Sequence, residues 1–357
     1  MPSSHFRIDQ LIRPNIRSLK PYRSARDDFS EGTLLDANEN SLGSVVASHL
    51  NLNRYPDPLQ DRVRKAWADF RDIRKDQIFL GVGSDEPIDL LIRMTCRPTV
   101  DNILITPPTY GMYKVAADVN EIEVKETRLD DKFQPEPEEI LKNTDKNTRI
   151  IFLCSPNNPT GNLLDSQAVT AILNQFDGLV VVDEAYIDFS LSPGWSGKID
   201  QYPNLVVLQT LSKAFGMAGI RIGAAIAHEE LISFMLRMKA PYNINKLTAD
   251  AALEALNNHK GMQYFVEKLL AERKRLEQAL QENPLVTSIR PSDANFLLVH
   301  FTNAYSVYQK LAARGVIVRY RGDQPGCEEG LRITVGSPKE NDQLITELNH
   351  LADENLD

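Results

Sequence analysis

The sequence predicts an α/β protein in which a large domain, built on a mostly parallel sheet covered by helices on both faces, is followed by a small α+β domain. Short apolar runs rich in Val and Ile alternate with helical patterns through the middle of the chain. Many of these runs are apolar at successive positions, which is typical of strands buried on both sides. A long helical pattern then separates them from a second, shorter group of strand patterns.

The first 30 residues are polar and mixed in character, and we expect residues 1–30 to form an N-terminal arm rather than a domain. The large domain is predicted to span residues 31–246 and to contain six strands. Their apolar segments are residues 78–80, 103–105, 150–153, 179–182, 205–208 and 222–227.

The small domain is predicted to span residues 247–357, joined by part of the N-terminal segment. Leucines recur at helical spacing among charged residues, so we expect residues 247–282 to be helical. A length of 357 residues is also what two domains of ordinary size require. The remaining predicted elements are strands at 295–300, 315–319 and 331–335 and a helix at 304–314.

Composition narrows the classes of function. Hydrophobic residues make up 42% of the chain and charged residues 25%, which is enough to build a packed core and excludes wholesale disorder. The net charge of −9 argues against a nucleic-acid partner. No apolar run approaches membrane-spanning length and no secretory signal is visible, so no membrane partner is expected. Three scattered cysteines and six histidines without ligand spacing predict a cytoplasmic protein with no metal site.

Polar residues follow almost every strand of the large domain, at the carboxyl ends where open α/β sheets bind ligands. After the strand at 205–208 come Thr210, Ser212 and Lys213, with Arg221 shortly beyond. A lysine just past a buried strand is suited to react with a carbonyl group, because burial can lower its pKa. The hydroxyls of Thr210 and Ser212 and the guanidinium of Arg221 are suitable donors for a phosphate.

Two further strand ends carry charged or capping residues. The segment GVGSDE at 81–86 places Ser84 and Asp85 at a helix start, whose free N–H groups can bind phosphate. Taken alone, this segment is more simply a glycine turn. Asp183 ends the strand at 179–182, and a carboxylate buried there needs a partner. That partner could be a cationic ligand atom, a structural arginine or an amide.

The string PNNPTG at residues 156–161 follows the strand at 150–153. Its two prolines and Gly161 favour a rigid loop that presents the amides of Asn157 and Asn158. An ordinary Pro-Asn turn is the simpler explanation. A specific string of six residues is nevertheless expected by chance on the order of 10⁻⁵ times in a chain of this length, so the signal is strong.

These residues offer an amine, a phosphate cradle, a buried carboxylate and donors for a ring oxygen, all of which pyridoxal 5′-phosphate needs. Lys213 would hold its aldehyde and, once freed, would move a proton as general base and acid. Asp183 would keep the ring nitrogen protonated, and Asn157 and Tyr186 would bind the ring oxygen. Tyr110, at the end of another strand, could stack on the ring.

Several longer strings carry a family resemblance that covers nearly the whole chain. They are LKPY at 19–22, DANEN at 36–40, NRYPD at 53–57, PTYGMY at 108–113, PNNPTG at 156–161, DEAY at 183–186 and LRITVG at 331–336. Together they resemble the fold-type I aminotransferases, and more narrowly the histidinol-phosphate aminotransferase family.

The resemblance implies a fold-type I, pyridoxal phosphate-dependent transferase that is a homodimer with its active site at the subunit interface. Tyr55 would reach the cofactor phosphate of the other subunit. The other residues expected near that phosphate are Ser84, Asp85, Thr210, Ser212 and Arg221.

The resemblance also assigns the substrate side. It implies that Arg332 and Arg319 face the anionic end of the substrate, with Tyr22 and Asn38 nearby. A bidentate guanidinium suits both a phosphate and a carboxylate. Arg321 is the alternative to Arg319, which the family match favours.

The implied reaction exchanges the amino group of L-histidinol phosphate with 2-oxoglutarate, giving imidazole acetol phosphate and glutamate in histidine biosynthesis. Two alternatives keep the cofactor and change the substrate: an aromatic amino acid aminotransferase, or a decarboxylase of phosphothreonine. A non-catalytic ligand sensor is a third possibility, which the presence of Lys213 disfavours.

Overall fold

The structure, a computed structural model, describes residues 6–22, 25–27, 29 and 32–354. Its larger sheet contains β1 (Ile78–Val82), β2 (Asn102–Ile105), β3 (Glu123–Glu126), β4 (Thr148–Cys154), β5 (Leu179–Asp183), β6 (Leu205–Thr210) and β7 (Ile222–Ala227). The strands lie in the order β1-β7-β6-β5-β4-β2-β3. Neighbours are parallel except where β7 runs against β1 and β6, so the predicted mostly parallel sheet is confirmed.

All six predicted strands are present, and β3 is the additional one. It lies at the edge of the sheet and its residues, EVKE, are partly or fully exposed. An edge strand of this kind has no apolar run, which is why the sequence pattern did not predict it.

The helices are α1 (Ile8–Leu11), α2 (Pro14–Arg17), α3 (Asp61–Arg71), α4 (Asp85–Thr95), α5 (Met112–Val119), α6 (Pro137–Asn143), α7 (Ser166–Gln175), α8 (Glu229–Met238), α9 (Lys246–Asn257), α10 (His259–Gln281), α11 (Ala304–Ala313) and α12 (Pro338–Glu354). None of these described helices combines the length and apolar composition needed to cross a membrane.

The larger sheet is buried on both faces because alternate side chains of its strands point to opposite sides. In β4, Ile150 and Phe152 join one hydrophobic core, while Ile151 and Leu153 join the other. Helices α4, α5 and α8 cover the first face and α3, α7 and α9 cover the second. The helices therefore leave the carboxyl ends of the strands as the accessible edge where polar residues can gather.

The smaller sheet contains β8 (Val286–Ile289), β9 (Phe296–Phe301), β10 (Arg319–Tyr320) and β11 (Gly330–Thr334), in the order β10-β11-β9-β8. All its neighbours are antiparallel, and it packs against α10, α11 and α12 around one core. The strand predicted at 315–319 is reduced to two residues, because pairing begins only at Arg319. Neither β8 nor α12 was predicted.

The helical pattern predicted for residues 247–282 is present as α9 and α10, with a break at Asn258. Helix α9 begins at the expected domain boundary, yet its Ala252 and Leu256 are buried in the core of the large sheet. Near the N-terminus, Ile8 and Leu11 are also buried against that sheet. The division at residues 30 and 246 stays a prediction.

Candidate active site

A cleft lies at the carboxyl ends of β4, β5 and β6, with about 570 Å³ of space including its open mouth. Its walls bring together residues that are widely separated in the sequence. Nine predicted site residues line it: Ser84, Asp85, Tyr110, Asp183, Tyr186, Thr210, Ser212, Lys213 and Arg221.

Lys213 lies just beyond β6, on the wall of this cleft. Its ammonium nitrogen is 5.4 Å from the centroid of the Tyr186 ring. Burial lowers the pKa of Lys213, and the positive charge of Arg332 lowers it further. Both effects increase the fraction of neutral amine, which is the form that attacks a carbonyl carbon and accepts a proton.

Asp183 ends β5 and is only 2% exposed. Its Oδ2 accepts a hydrogen bond of 2.7 Å from the Tyr113 hydroxyl, and its Oδ1 accepts one of 3.1 Å from the N–H of Ala185. Within the described part of the chain, no basic side chain forms an ion pair with this carboxylate. Burial raises the pKa of Asp183. A buried carboxylate without a protein cation is suited to hold a protonated ring nitrogen.

Donors for an anion gather at the other end of the cleft. Nη1 of Arg221 donates to Oγ of Ser212 at 3.4 Å, and Thr210 lies beside them. Gly83 has φ +68°, and a Cβ there would lie 2.5 Å from Nη2 of Arg221. Any other residue at this position would be strained by the positive φ and would displace the guanidinium from its present place. The arrangement fits a phosphate group.

Ser84 occupies the position before α4, as expected of a capping residue, but its side chain makes no capping hydrogen bond. Its hydroxyl and the N–H groups of the first turn are thus available to a ligand at the helix start. Asp85 accepts a hydrogen bond of 3.1 Å from the Tyr110 hydroxyl and lies 3.5 Å from Arg221. The Asp85 carboxylate therefore orients these two side chains.

The structure does not bring Asn157 to the wall of the cleft. Its side-chain nitrogen donates to the carbonyl of Pro108 at 2.9 Å and to Oγ1 of Thr160 at 2.8 Å, so it holds the loop at 156–161 together. The next residue, Asn158, lines the cleft instead. Gly161 takes φ +85°, as the predicted rigid loop requires.

Arg332, on β11, joins the smaller sheet to this loop. Its Nη1 donates to Oδ1 of Asn158 at 2.6 Å, and its guanidinium carbon lies 5.5 Å from the centroid of the Phe296 ring. The rings of Tyr186 and Phe296 lie nearly perpendicular to each other at a centroid distance of 5.1 Å. These contacts place a guanidinium close to the cleft. Arg319, its direct neighbour across the strands, is exposed.

Three predicted residues lie apart from the cleft within this chain. Asn38 and Tyr55 line a different cavity, together with Arg54 and Lys246. The Tyr55 ring, 49% exposed, stacks on Tyr242 at a centroid distance of 4.7 Å. Tyr22 lines neither cavity and is 72% exposed.

Sequence reasoning missed several residues of the cleft. Cys154, Ala185 and Ala218 line its walls, as does Asn158, whose amide was expected in the loop but was given no role. Tyr113, which is buried completely, contacts Asp183 from behind and stacks on Phe152 at a centroid distance of 4.6 Å. Tyr113 lies in the motif at 108–113, so the motif was a signal for it, but no local pattern predicts its partner.

Glu184 follows Asp183 and is fully buried. It accepts hydrogen bonds of 2.6 Å from the N–H of Trp195 and 2.9 Å from Nε2 of Gln209. Burial raises the pKa of Glu184 from 4.5 to about 7. Between these two values the folded state holds a proton that the unfolded state has released, so the free energy of unfolding falls as pH rises through this window.

We therefore expect the stability of the wild-type protein, relative to the Glu184→Gln variant, to fall by roughly 2 to 3 kcal/mol between pH 5 and pH 8. Urea unfolding at a fixed protein concentration at both pH values measures the difference. Glu139→Gln, at an exposed position, is the control and should follow the wild type. A stability difference between wild type and Glu184→Gln that is the same at both pH values would contradict the expectation.

Comparison with known proteins identifies relatives along nearly the whole chain. A family model for aminotransferase class I and II matches residues 28–348. A histidinol-phosphate aminotransferase of Flavobacterium psychrophilum is 48% identical over 352 residues, which cover 98% of this chain and 100% of the relative.

Solved structures agree with the fold. That of a histidinol-phosphate aminotransferase from Clostridium acetobutylicum has a TM-score of 0.78 at 25% identity and covers 85% of this chain and 92% of its own. Another, from Sinorhizobium meliloti and in complex with pyridoxal-5′-phosphate, has a TM-score of 0.78 at 20% identity. The matched region covers 89% of this chain and 90% of the Sinorhizobium chain.

Proposed function

We propose that this chain, which belongs to the aminotransferase class I and II family, transfers the amino group of L-histidinol phosphate to 2-oxoglutarate, giving imidazole acetol phosphate and glutamate in histidine biosynthesis. The observation that carries the substrate is the near full-length similarity to a histidinol-phosphate aminotransferase. The cleft supports the chemistry, because it combines an amine of lowered pKa with a buried, uncompensated carboxylate.

Pyridoxal 5′-phosphate, when bound, supplies the aldehyde that takes up the amino group and a ring that withdraws electrons from the substrate carbon. Lys213 would hold this aldehyde covalently and, as a free amine, would accept the proton that the substrate carbon loses and give it back. Its lowered pKa favours the base form of this amine. Asp183 would hold the ring nitrogen in its protonated form.

The remaining residues position the two molecules. Ser212 and Arg221, which contact each other, would hold the cofactor phosphate, and Tyr110, which Asp85 orients, would pack on the cofactor ring. Arg332 binds the anionic group of the substrate while Asn158 fixes its guanidinium plane. Bidentate binding by a guanidinium suits a carboxylate and a phosphate alike.

The test is an absorbance spectrum of the cofactor-loaded protein before and after addition of histidinol phosphate, with no oxo acid present. Conversion of the pyridoxal band to the pyridoxamine form is expected, because half of a transamination needs only the amino donor. If glutamate or an aromatic amino acid converts the band and histidinol phosphate does not, the substrate is wrong while the aminotransferase chemistry stands. Release of carbon dioxide from phosphothreonine would favour the decarboxylase.

The chain is further proposed to act as a homodimer in which Tyr55 and Asn38 complete the site of the other subunit. Their place in a separate cavity, away from Lys213, supports this. Exposed apolar side chains in the same part of the chain support a subunit contact; they are Leu35, Leu42, Val45 and Val46.

Mixing two inactive variants tests the shared site. A hybrid of Lys213→Ala and Tyr55→Ala subunits has one site with both residues intact if Tyr55 acts across the interface. We expect the mixture, unfolded and refolded together, to recover about a quarter of wild-type activity, since half of the dimers are hybrids with one intact site. No recovery, with hybrid dimers detected by light scattering and mass spectrometry, would place Tyr55 in its own subunit's site.

The three free, buried cysteines support a reducing compartment such as the cytoplasm.

A further inference from the structure

Three arginines lie together on one face of the smaller sheet. Arg319 on β10 is the direct cross-strand partner of Arg332 on β11. The N–H of Arg321 donates to the carbonyl of Gly330 at 2.9 Å, which continues the same pairing by one residue. Since successive side chains of a strand alternate, Arg319 and Arg321 share one face and Tyr320 takes the other.

The face of Tyr320 is the apolar one. Tyr320 and Leu331 pack into the core between the smaller sheet and its helices. The arginine face is therefore turned away from that core. The arginine face is directed towards the cleft, because the guanidinium of Arg332 reaches Asn158 at the wall of the cleft.

The positive charge of this arginine cluster, Arg319, Arg321 and Arg332, is not compensated by the protein. Within residues 32–354 no carboxylate forms an ion pair with any of the three. The charge of Asp323 affects the pKa of Arg321, but Asp323 lies too far away to form an ion pair with it. Arg321 is half-buried, and its Nε is buried without a hydrogen-bond partner. Like charges paired across strands are destabilising, so a bound anion would relieve the repulsion between these arginines.

Of the two arginines on β10 and its extension, Arg321 is half-buried and its charge acts on Tyr186, whereas Arg319 is exposed. Burial raises the pKa of the Tyr186 hydroxyl, and the positive charges of Arg332 and Arg321 oppose that rise. Arg319 is exposed, whereas burial and then the charge of Arg332 lower the pKa of Arg321. Tyr186 lines the cleft, so the charge of Arg321 is felt there.

We propose that Arg321 is a specificity-determining residue, a third guanidinium that binds the phosphate end of the substrate together with Arg332 and Arg319. A phosphate carries up to two charges and three free oxygens, whereas a carboxylate carries one charge and two oxygens. A third guanidinium therefore adds more to the binding of a phosphate than to that of a carboxylate. This inference rests on the proposed function, because it assigns the phosphate of that substrate to these residues.

The experiment compares the cofactor-loaded wild type with Arg321→Gln and Arg321→Lys. Stopped-flow absorbance gives the concentration dependence of the half-reaction for histidinol phosphate and, separately, for glutamate. We expect Arg321→Gln to weaken histidinol phosphate binding about 10- to 100-fold, as loss of a charged hydrogen bond predicts, and to change glutamate binding less than about threefold. Arg321→Lys should recover part of the loss. Arg314→Gln, which removes an arginine paired with Glu347 on the far side of the smaller sheet, is the control.

A second measurement needs no turnover. Inorganic phosphate and acetate are titrated into the loaded protein, and the shift they cause in the pH dependence of the cofactor absorbance reports binding beside the cofactor. The wild type should bind phosphate more tightly than acetate, and Arg321→Gln should lose this preference. Equal weakening for both substrates, or no change for either, would overturn the proposal.

The two proposals fail in different ways. If the wild type binds inorganic phosphate through Arg321 but does not react with histidinol phosphate, the proposed substrate is wrong and the role of Arg321 stands. If Arg321→Gln reacts normally with histidinol phosphate, the substrate stands and this inference is wrong. A lower melting temperature with unchanged anion preference would show that Arg321 only supports the segment at 321–330, where Oε1 of Gln324 is also buried without a partner.

Discussion

Lys213→Ala is expected to abolish covalent attachment of the cofactor and to lower turnover on the order of 10⁴-fold or more. The same side chain carries both the bond to the aldehyde and the proton transfer, so its loss removes two contributions at once. Its partly buried position and lowered pKa suit it to both. Borohydride reduction followed by mass spectrometry measures the attachment, and single-turnover absorbance measures the rate.

Lys142→Ala is the matched control, since Lys142 is exposed and pairs with Glu139 on the surface. It should keep wild-type labelling and turnover. Addition of a small primary amine should restore part of the proton-transfer rate to Lys213→Ala, because that variant leaves space for a base in the cleft. A borohydride-stable adduct on any other lysine of Lys213→Ala, with turnover retained, would disprove the assignment.

Asp183→Asn is expected to slow the half-reaction on the order of 10³-fold, because the amide cannot stabilise the positive charge on the ring nitrogen. Tyr113→Phe should have a smaller effect, about 10-fold, since it removes only the 2.7 Å hydrogen bond that orients Asp183. Two measurements separate the variants. One is the rate of the half-reaction with saturating amino donor, and the other is the affinity for the cofactor, measured by fluorescence quenching.

The cofactor-free forms provide a second readout. Burial raises the pKa of Asp183, which means that its negative charge destabilises the folded protein when no cationic ligand is bound. The cofactor-free Asp183→Asn variant should therefore melt at no lower a temperature than the wild type. Asp101→Asn is the contrasting control, because Asp101 is equally buried but pairs with Arg97 and Arg149. It should melt lower and turn over normally. Loss of stability in Asp183→Asn with unchanged turnover would make Asp183 a structural residue.

The sheet was predictable because its inner strands, such as β4 and β5, are apolar on both faces and their pattern needs no tertiary context. The edge strand β3 and the short β10 were not, since half-exposed residues carry no such pattern. The group of residues at the cleft was predictable for a related reason. Carboxyl ends of parallel strands meet at one edge, so Asp183 and Lys213 had to lie near each other once the strands were known.

The sequence by itself determined which residues supply the amine, the carboxylate and the hydrogen-bond donors for a phosphate in the cleft. Each of these residues follows its own strand or loop within a few positions. Only the tertiary structure decided which residues support them. Tyr113 meets Asp183 across 70 residues, and Arg332 meets Asn158 across 174. It also placed Arg321 on the same face as Arg332, through the pairing of β10 with β11. Such contacts depend on strand register and on the packing of one sheet against another, neither of which a local pattern of residues specifies.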